Sequence, residues 1–123
     1  MKILMLCGSR GYANPEQVRE YMRDNYIHFE VLLHGNCPNS PDVWADVEAR
    51  KLPLIIGRVD YPSCFGKRGG PMRNKAMVKM ADSVVAFWDG KSKGTEGVIE
   101  YARKLGKPVE IISCGLALRT QLS

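Results

Sequence analysis

The run Ser83-Val84-Val85-Ala86-Phe87-Trp88-Asp89-Gly90-Lys91-Ser92-Lys93-Gly94-Thr95 decides the fold. Its first six residues read as a buried strand, rich in β-branched and aromatic side chains. A Gly/Ser/Lys loop follows, and a helix opens near Glu96. A strand that turns straight into a helix is the unit from which parallel sheets are built. The first N–H groups of that helix have no partner inside it, and the helix dipole adds partial positive charge there. The junction therefore suits phosphate or another anion.

Outward from this run the same alternation repeats. Apolar stretches at Ile3–Cys7, Phe29–Leu33, Leu54–Val59, Ser83–Trp88 and Val109–Ser113 alternate with helical patterns at Pro15–Asn25, Pro41–Lys51, Pro71–Ala81 and Thr95–Leu105. The fold expected is α/β: a three-layer sandwich with a five-stranded parallel sheet and helices on both faces. Asn14-Pro15, Ser40-Pro41 and Gly70-Pro71 each place proline at the start of a helix, and Gly106 stops the last one. Asn14 and Ser40 are side-chain caps, and Thr95 is a candidate cap of the fourth helix. The expected core stripes are Val18, Tyr21 and Met22; Val43 and Val47; Ala76, Met77 and Met80; and Val98, Ile99, Ala102 and Leu105.

The totals bound the class. A length of 123 residues is that of one domain, read as 1–113 with a tail at 114–123, and 45% apolar with 25% charged residues is an ordinary globular composition. No apolar run approaches the roughly 20 residues that span a bilayer, so no membrane association is expected. Met1–Cys7 mimics a short signal peptide, but the Gly8-Ser9-Arg10 that follows reads as a strand-to-loop turn, and the expected location is cytoplasmic. The net charge of +5 is scattered with no basic block, which argues against a polymeric nucleic-acid partner. Cys7, Cys37, Cys64 and Cys114 lack CxxC spacing and read as reduced thiols. His34 and Cys37 have H-x-x-C spacing with Cys64 as a conceivable third ligand; two local ligands fall short of a zinc site, so neither metal nor cofactor is expected.

In a doubly wound sheet, ligands bind beyond the carboxyl ends of the strands, where strand order reverses. That rule gathers the candidate binding residues Gly8, Ser9, Arg10, His34, Gly35, Arg73, Asn74, Asp89, Ser92, Gly94 and Thr95 on one edge. Gly8 permits close backbone approach, Arg10 offers a planar fork to phosphate, and Ser92 to Thr95 form the anion loop. Gly66 to Asn74 is a Gly-rich basic loop in which Arg73 and Asn74 form a second anion contact; a cation in a first helical turn opposes the dipole, and a bound anion offsets that cost. His34 lies near that edge and reads better as a plain hydrogen-bonded histidine than as a catalytic group. Tyr12, Trp44, Tyr61, Phe65 and Trp88 are the aromatics available to stack on a base, with Trp88 equally a core residue. P-loop, dinucleotide and nucleophile-elbow motifs are absent. Among the carboxylates Asp42, Asp60, Asp89, Glu96 and Glu100, Asp89 and Asp42 are the catalytic candidates for glycosidic chemistry.

Several motifs in order then give a resemblance over nearly the whole chain. They are Gly8-Ser9-Arg10; His34-Gly35 followed by Asp42-x-x-Ala45; Gly70-Pro71-Met72-Arg73-Asn74-x-x-Met77; Ala81 to Gly90; Ser92-x-Gly94-Thr95; and Gly106-Lys107-Pro108-Val109. The chain resembles the Rossmann-like SLOG superfamily, and within it the YspA-like branch. Asn36–Pro41 departs from the Gly/Ala-rich turn common there. The resemblance implies a nucleotide or nucleotide-derived ligand at the Gly-Ser-Arg and Gly-Thr loops, and a homo-oligomer with the late helices at its interface. Its enzymatic relatives, the Lonely-Guy-type phosphoribohydrolases and, similarly built, the nucleoside deoxyribosyltransferases, usually carry a catalytic Glu three residues after the threonine. Here that position is Val98. The expectation is a sensor or binding protein; an N-glycosidic hydrolase or transferase and a nucleic-acid or protein adaptor are the alternatives.

Overall fold

A computed structural model describes residues 1–60, 66, 69–113 and the backbone of 119–122. In chain order it contains β1 (Ile3–Gly8), α1 (Pro15–Asn25), β2 (Val31–His34), α2 (Pro41–Ala49), β3 (Ile55–Arg58), α3 (Gly69–Met80), β4 (Ser83–Trp88), α4 (Lys93–Lys104), β5 (Val109–Ser113) and β6 (Arg119–Leu122). The sheet order is β3-β2-β1-β4-β5-β6. The first five strands are parallel, as the alternating pattern predicts. The backbone of 119–122, expected as part of a tail, adds a sixth strand antiparallel to β5.

Period-two alternation along β1 feeds two cores. Leu4 and Leu6 pack with Val18, Tyr21 and Met22 of α1 and Ala45 and Ala49 of α2. Met5 points to the other layer, with Met77 and Val78 of α3 and Val98, Ile99 and Ala102 of α4. Tyr12 and Tyr21 both meet the Phe87 ring edge-on, with centroids 5.7 Å away in each case. No helix among the described residues is long and apolar enough to cross a membrane.

The helix ends follow the local chemistry. Asn14 Oδ1 accepts the Gln17 N–H at 3.2 Å, and Ser40 Oγ accepts the Asp42 N–H at 3.2 Å. At the end of α4 the Gly106 N–H donates to the Arg103 carbonyl and the Lys107 N–H to the Ala102 carbonyl. This paired closure needs a left-handed residue, and Gly106 supplies it with φ +74. The fourth helix starts earlier than expected: Ser92 stands at its cap position, and Thr95 is already inside its first turn.

Three core stripes are corrected. On α2 the buried face is Ala45 and Ala49 with Asp42, Asp46 and Glu48, while Val47 is exposed and Val43 only half-buried. Small residues let α2 lie close on the sheet, and Asp46 finds partners there in His34 and Arg58. On α3 and α4, Ala76, Met80 and Leu105 are exposed, leaving Met77, Val78, Val98, Ile99 and Ala102 as the contacts.

The end of β1 touches the start of α2 with nothing to spare. A Cβ built on Gly8 would lie 2.3 Å from Pro41 Cγ. Gly8 is therefore demanded by strand-to-helix packing, a reason distinct from ligand approach. We expect Gly8→Ala to cost about 1–3 kcal/mol by overpacking, measured by urea denaturation; an unchanged midpoint would show that the ring can move aside.

Candidate functional site

Strand order reverses between β2-β1 and β4-β5, and a cavity of about 290 Å³ opens beyond their carboxyl ends. Its apolar floor is Leu6, Cys7, Met77 and Val98. Its polar wall comes from Gly8 and Arg10 after β1, Gly35 and Cys37 after β2, Asp42 on α2, Arg73 and Asn74 on α3, and Ser92, Gly94 and Thr95 at α4. Nine predicted site residues thus converge: Gly8, Arg10, Gly35, Asp42, Arg73, Asn74, Ser92, Gly94 and Thr95.

Three predicted residues stand outside that lining and serve as scaffold. Ser9 is buried; its N–H donates to the Phe87 carbonyl and its Oγ accepts the Asp89 N–H at 3.1 Å, tying the β1 and β4 loops together. Asp89 is exposed, and its Oδ1 accepts the N–H groups of Lys91 and Ser92, both at 2.8 Å. Those backbone donors hold its carboxyl below the usual range, so it shapes the loop as a carboxylate, and it is not among the residues lining the cavity. His34 is fully buried: Nε2 lies 2.7 Å from Asp46 Oδ2, and Nδ1 accepts the Asn36 N–H at 2.9 Å. Both ring nitrogens are spent inside the protein, so His34 offers none to a ligand or metal.

Arg73 lines the cavity, but its guanidinium is already engaged. It donates to the Gly35 carbonyl at 2.8 Å, the Val59 carbonyl at 3.3 Å and Asn74 Oδ1 at 2.8 Å, and reaches Cys37 Sγ at 3.8 Å. It is also the fifth residue of α3, beyond the first turn assigned to it from sequence. Carbonyls of the protein itself thus take up part of its hydrogen-bonding capacity. Gly35 is what admits it: a Cβ there would lie 2.4 Å from Arg73 Nη1. Asn36 and Asn39 take left-handed conformations, φ 54 and 50, doing the work of glycines in the turn between β2 and α2.

Arg10 is exposed at the cavity rim, and among the described residues no carboxylate pairs with it. Beside it, α4 opens without a side-chain cap, whereas Asn14 and Ser40 cap α1 and α2. Ser92 Oγ reaches only Thr95 Oγ1, at 3.4 Å. The lining also includes Asp42, 4% exposed. Its Oδ2 accepts the Cys37 N–H at 3.2 Å, while Oδ1 is buried with no partner among the described residues. Burial pushes its carboxyl up, against the pull of the Cys37 N–H, His34 and Arg73. Burial also raises the Cys7 thiol, leaving it an inert part of the floor.

None of the aromatic candidates that the structure describes lines the cavity. Tyr12 is core and donates to Gln17; Trp44 packs against the α1-α2 core; the Trp88 indole N–H donates to the Ser92 carbonyl at 3.0 Å. Tyr61, Phe65, Cys64, Lys67, Arg68 and Cys114 lie outside the described residues. Among the described residues no group of three His, Cys, Asp or Glu is placed to hold a metal.

Sequence reasoning missed Asp46. It is one turn from Asp42, nearly fully buried, and bonded to His34, Arg50 and Arg58 at 2.6 to 3.0 Å. The signal was there as two acids four apart on a helix that also carries Ala45 and Ala49.

No protein-family model matches the chain, and no solved structure matches it. It is 30% identical over 120 residues to the Gene 61 protein of Mycobacterium phage D29, an alignment covering 89% of this chain and 94% of that one.

Asp46 yields a pH prediction. Arg58 above all, then His34 and Arg50, hold its carboxyl well below the usual carboxylate range. Its stabilisation is complete above the unfolded value of about 4 and is lost as pH falls toward the lower folded value. We expect Asp46→Asn to cost about 2 kcal/mol at neutral pH, its cationic partners being half exposed. The variant should also lose stability less steeply in acid. Urea denaturation from pH 7 to pH 3 measures both; parallel acid limbs for the two proteins would refute the assignment.

Proposed function

The chain belongs to the family of the phage D29 Gene 61 protein, and we propose that it binds a phosphate-bearing, nucleotide-derived small molecule without cleaving it. The observation that carries this reading is that Arg10, with no carboxylate partner among the described residues, lines the same cavity as the uncapped N-terminus of α4. Two helices of the molecule, α1 and α2, close their first turns with side-chain caps; α4, whose first residues line the cavity, has no side-chain cap. Donors, dipole and a planar cation in one place are the means by which proteins hold phosphate. The resemblance to the SLOG superfamily, which uses the same two loops for nucleotides, supports the same ligand class.

Magnitude fixes how much of the ligand must be gripped. Micromolar affinity requires about 8 kcal/mol. The helix end supplies about 0.3–2 kcal/mol, and a charged hydrogen bond from Arg10 about 1.5–3 kcal/mol. The remainder falls to the groups next to the phosphate, packed on Leu6, Cys7, Met77 and Val98. A volume of about 290 Å³ sits at the small end of ligand sites and suits a mononucleotide-sized part of a ligand.

Binding without cleavage follows from the carboxylates. Glycosidic chemistry uses two, one as acid and one as base or nucleophile. Asp42 is the one carboxylate among the described lining residues, and the buried position of Val98 presents only methyl groups. Isothermal titration against nucleoside monophosphates, cyclic nucleotides and ADP-ribose is expected to show binding. Arg10→Ala should weaken it about tenfold or more, equivalent to about 1.5 kcal/mol. Absence of binding across the panel would overturn the reading, and release of free base would replace it with the enzymatic one.

A further inference from the structure

Asp42 is the one carboxylate among the described residues that line the cavity. Its side chain is more than nine-tenths buried, yet Oδ1 has no hydrogen-bond partner among the described residues. Leaving a buried acceptor unpaired is costly, and native proteins do it rarely. The nearby cation does not relieve it: Arg73 is committed to Gly35, Val59, Asn74 and Cys37. The Asp42 backbone N–H is spent on Ser40 Oγ, and Oδ2 on Cys37. One oxygen of a lining residue is therefore left for whatever enters.

The chemistry of that oxygen restricts its partner. A phosphate would be repelled by the carboxylate. A cationic group would meet Arg10 and Arg73, which line the same cavity. A neutral donor remains. A hydroxyl is the neutral group that bonds a carboxyl in either protonation state, donating to the carboxylate or accepting from the acid. That matters because burial pushes the Asp42 carboxyl upward. In a nucleotide-derived ligand the hydroxyls are carried by the sugar.

We infer that Asp42 is a specificity-determining residue whose Oδ1 accepts a hydrogen bond from a sugar hydroxyl of the phosphate-bearing ligand. The inference rests on the anion site at Arg10 and α4. Arg10 and the helix end hold the phosphate; Asp42 reads whether the neighbouring sugar carries its hydroxyl. A ligand without it leaves the buried oxygen unpaired, and such sites reject deoxy analogues far more strongly than apolar pockets reject a missing methylene.

The test is isothermal titration with ribose 5-phosphate, 2-deoxyribose 5-phosphate, AMP, 2′-deoxy-AMP, 3′-deoxy-AMP and inorganic phosphate. Wild-type protein should lose about tenfold or more in affinity for at least one deoxy form. Asp42→Ala should shrink that ratio to about threefold or less, with inorganic phosphate binding retained. Arg10→Ala should weaken every phosphate probe and leave the ratio intact. Circular dichroism reports folding; should Asp42→Ala not fold, Asp42→Asn keeps an acceptor for the Cys37 N–H and tests the same ratio, expected to drop severalfold as an amide replaces a carboxylate. Equal wild-type affinities for parent and deoxy forms, or a ratio unchanged in the Asp42 variant, overturns the role of Asp42 and leaves the anion site standing. No binding of any probe by wild type overturns the anion site, and this inference with it.

Discussion

Parallel pairing on both sides of β1 is the constraint from which the site arises. β1 hydrogen-bonds β2 on one edge and β4 on the other, all three running the same way. The chain leaving β1 therefore cannot turn back beside it. It passes into α1 on one face, while the chain leaving β4 passes into α4 on the other. Loops that diverge in this way leave a crevice between them. The cavity lies in that crevice, and its lining is what the ends of β1 and β2 and the helices α2, α3 and α4 bring there.

Within that frame one helix carries two acids with opposite fates. Asp42 and Asp46 are one turn apart on the buried face of α2. Asp46 meets His34 from β2 and Arg58 from β3, so its charge is neutralised and its proton is held off. Asp42 meets a single backbone N–H and the cavity, and burial outweighs the pull of His34 and Arg73, so its proton is favoured. Pairs pushed apart in this way mark a division of labour in protein sites. Asp46 fixes the helix to the sheet, and the fixed helix holds Asp42 where it is expensive. A residue kept at a cost to stability points to function rather than packing.

Strands, helices and their order were legible because they rest on local signals: β-branched runs, proline after a cap, glycine after a last turn. The edge bearing the site was legible because the handedness of the crossovers leaves little choice. What could not be read was which polar groups satisfy one another. Arg73 looked like an anion contact until three acceptors from its own chain took it; His34 looked available until Asp46 and the Asn36 N–H closed both nitrogens; Asp89 looked like a catalyst until two backbone N–H groups claimed it. In each case the partner is remote in sequence or is backbone, which side-chain spacing does not register. The face of α2 was misread for a related reason: Val43 and Val47 are more apolar than Ala45 and Ala49, but closeness to the sheet rewards small residues over greasy ones.

The fit of Arg73 over Gly35 reaches beyond this molecule. A side chain at 35 and a guanidinium from 73 claim the same space. Neither position can drift alone: a β-carbon at 35 evicts the arginine, and loss of the arginine strands the carbonyls of Gly35 and Val59 and leaves a hollow that a larger residue at 35 could then occupy. Among descendants of this chain the two positions should therefore be inherited as a linked pair, Gly with Arg or neither, although 38 residues separate them. That linkage gives the family a fingerprint written in co-substitution rather than in any contiguous motif.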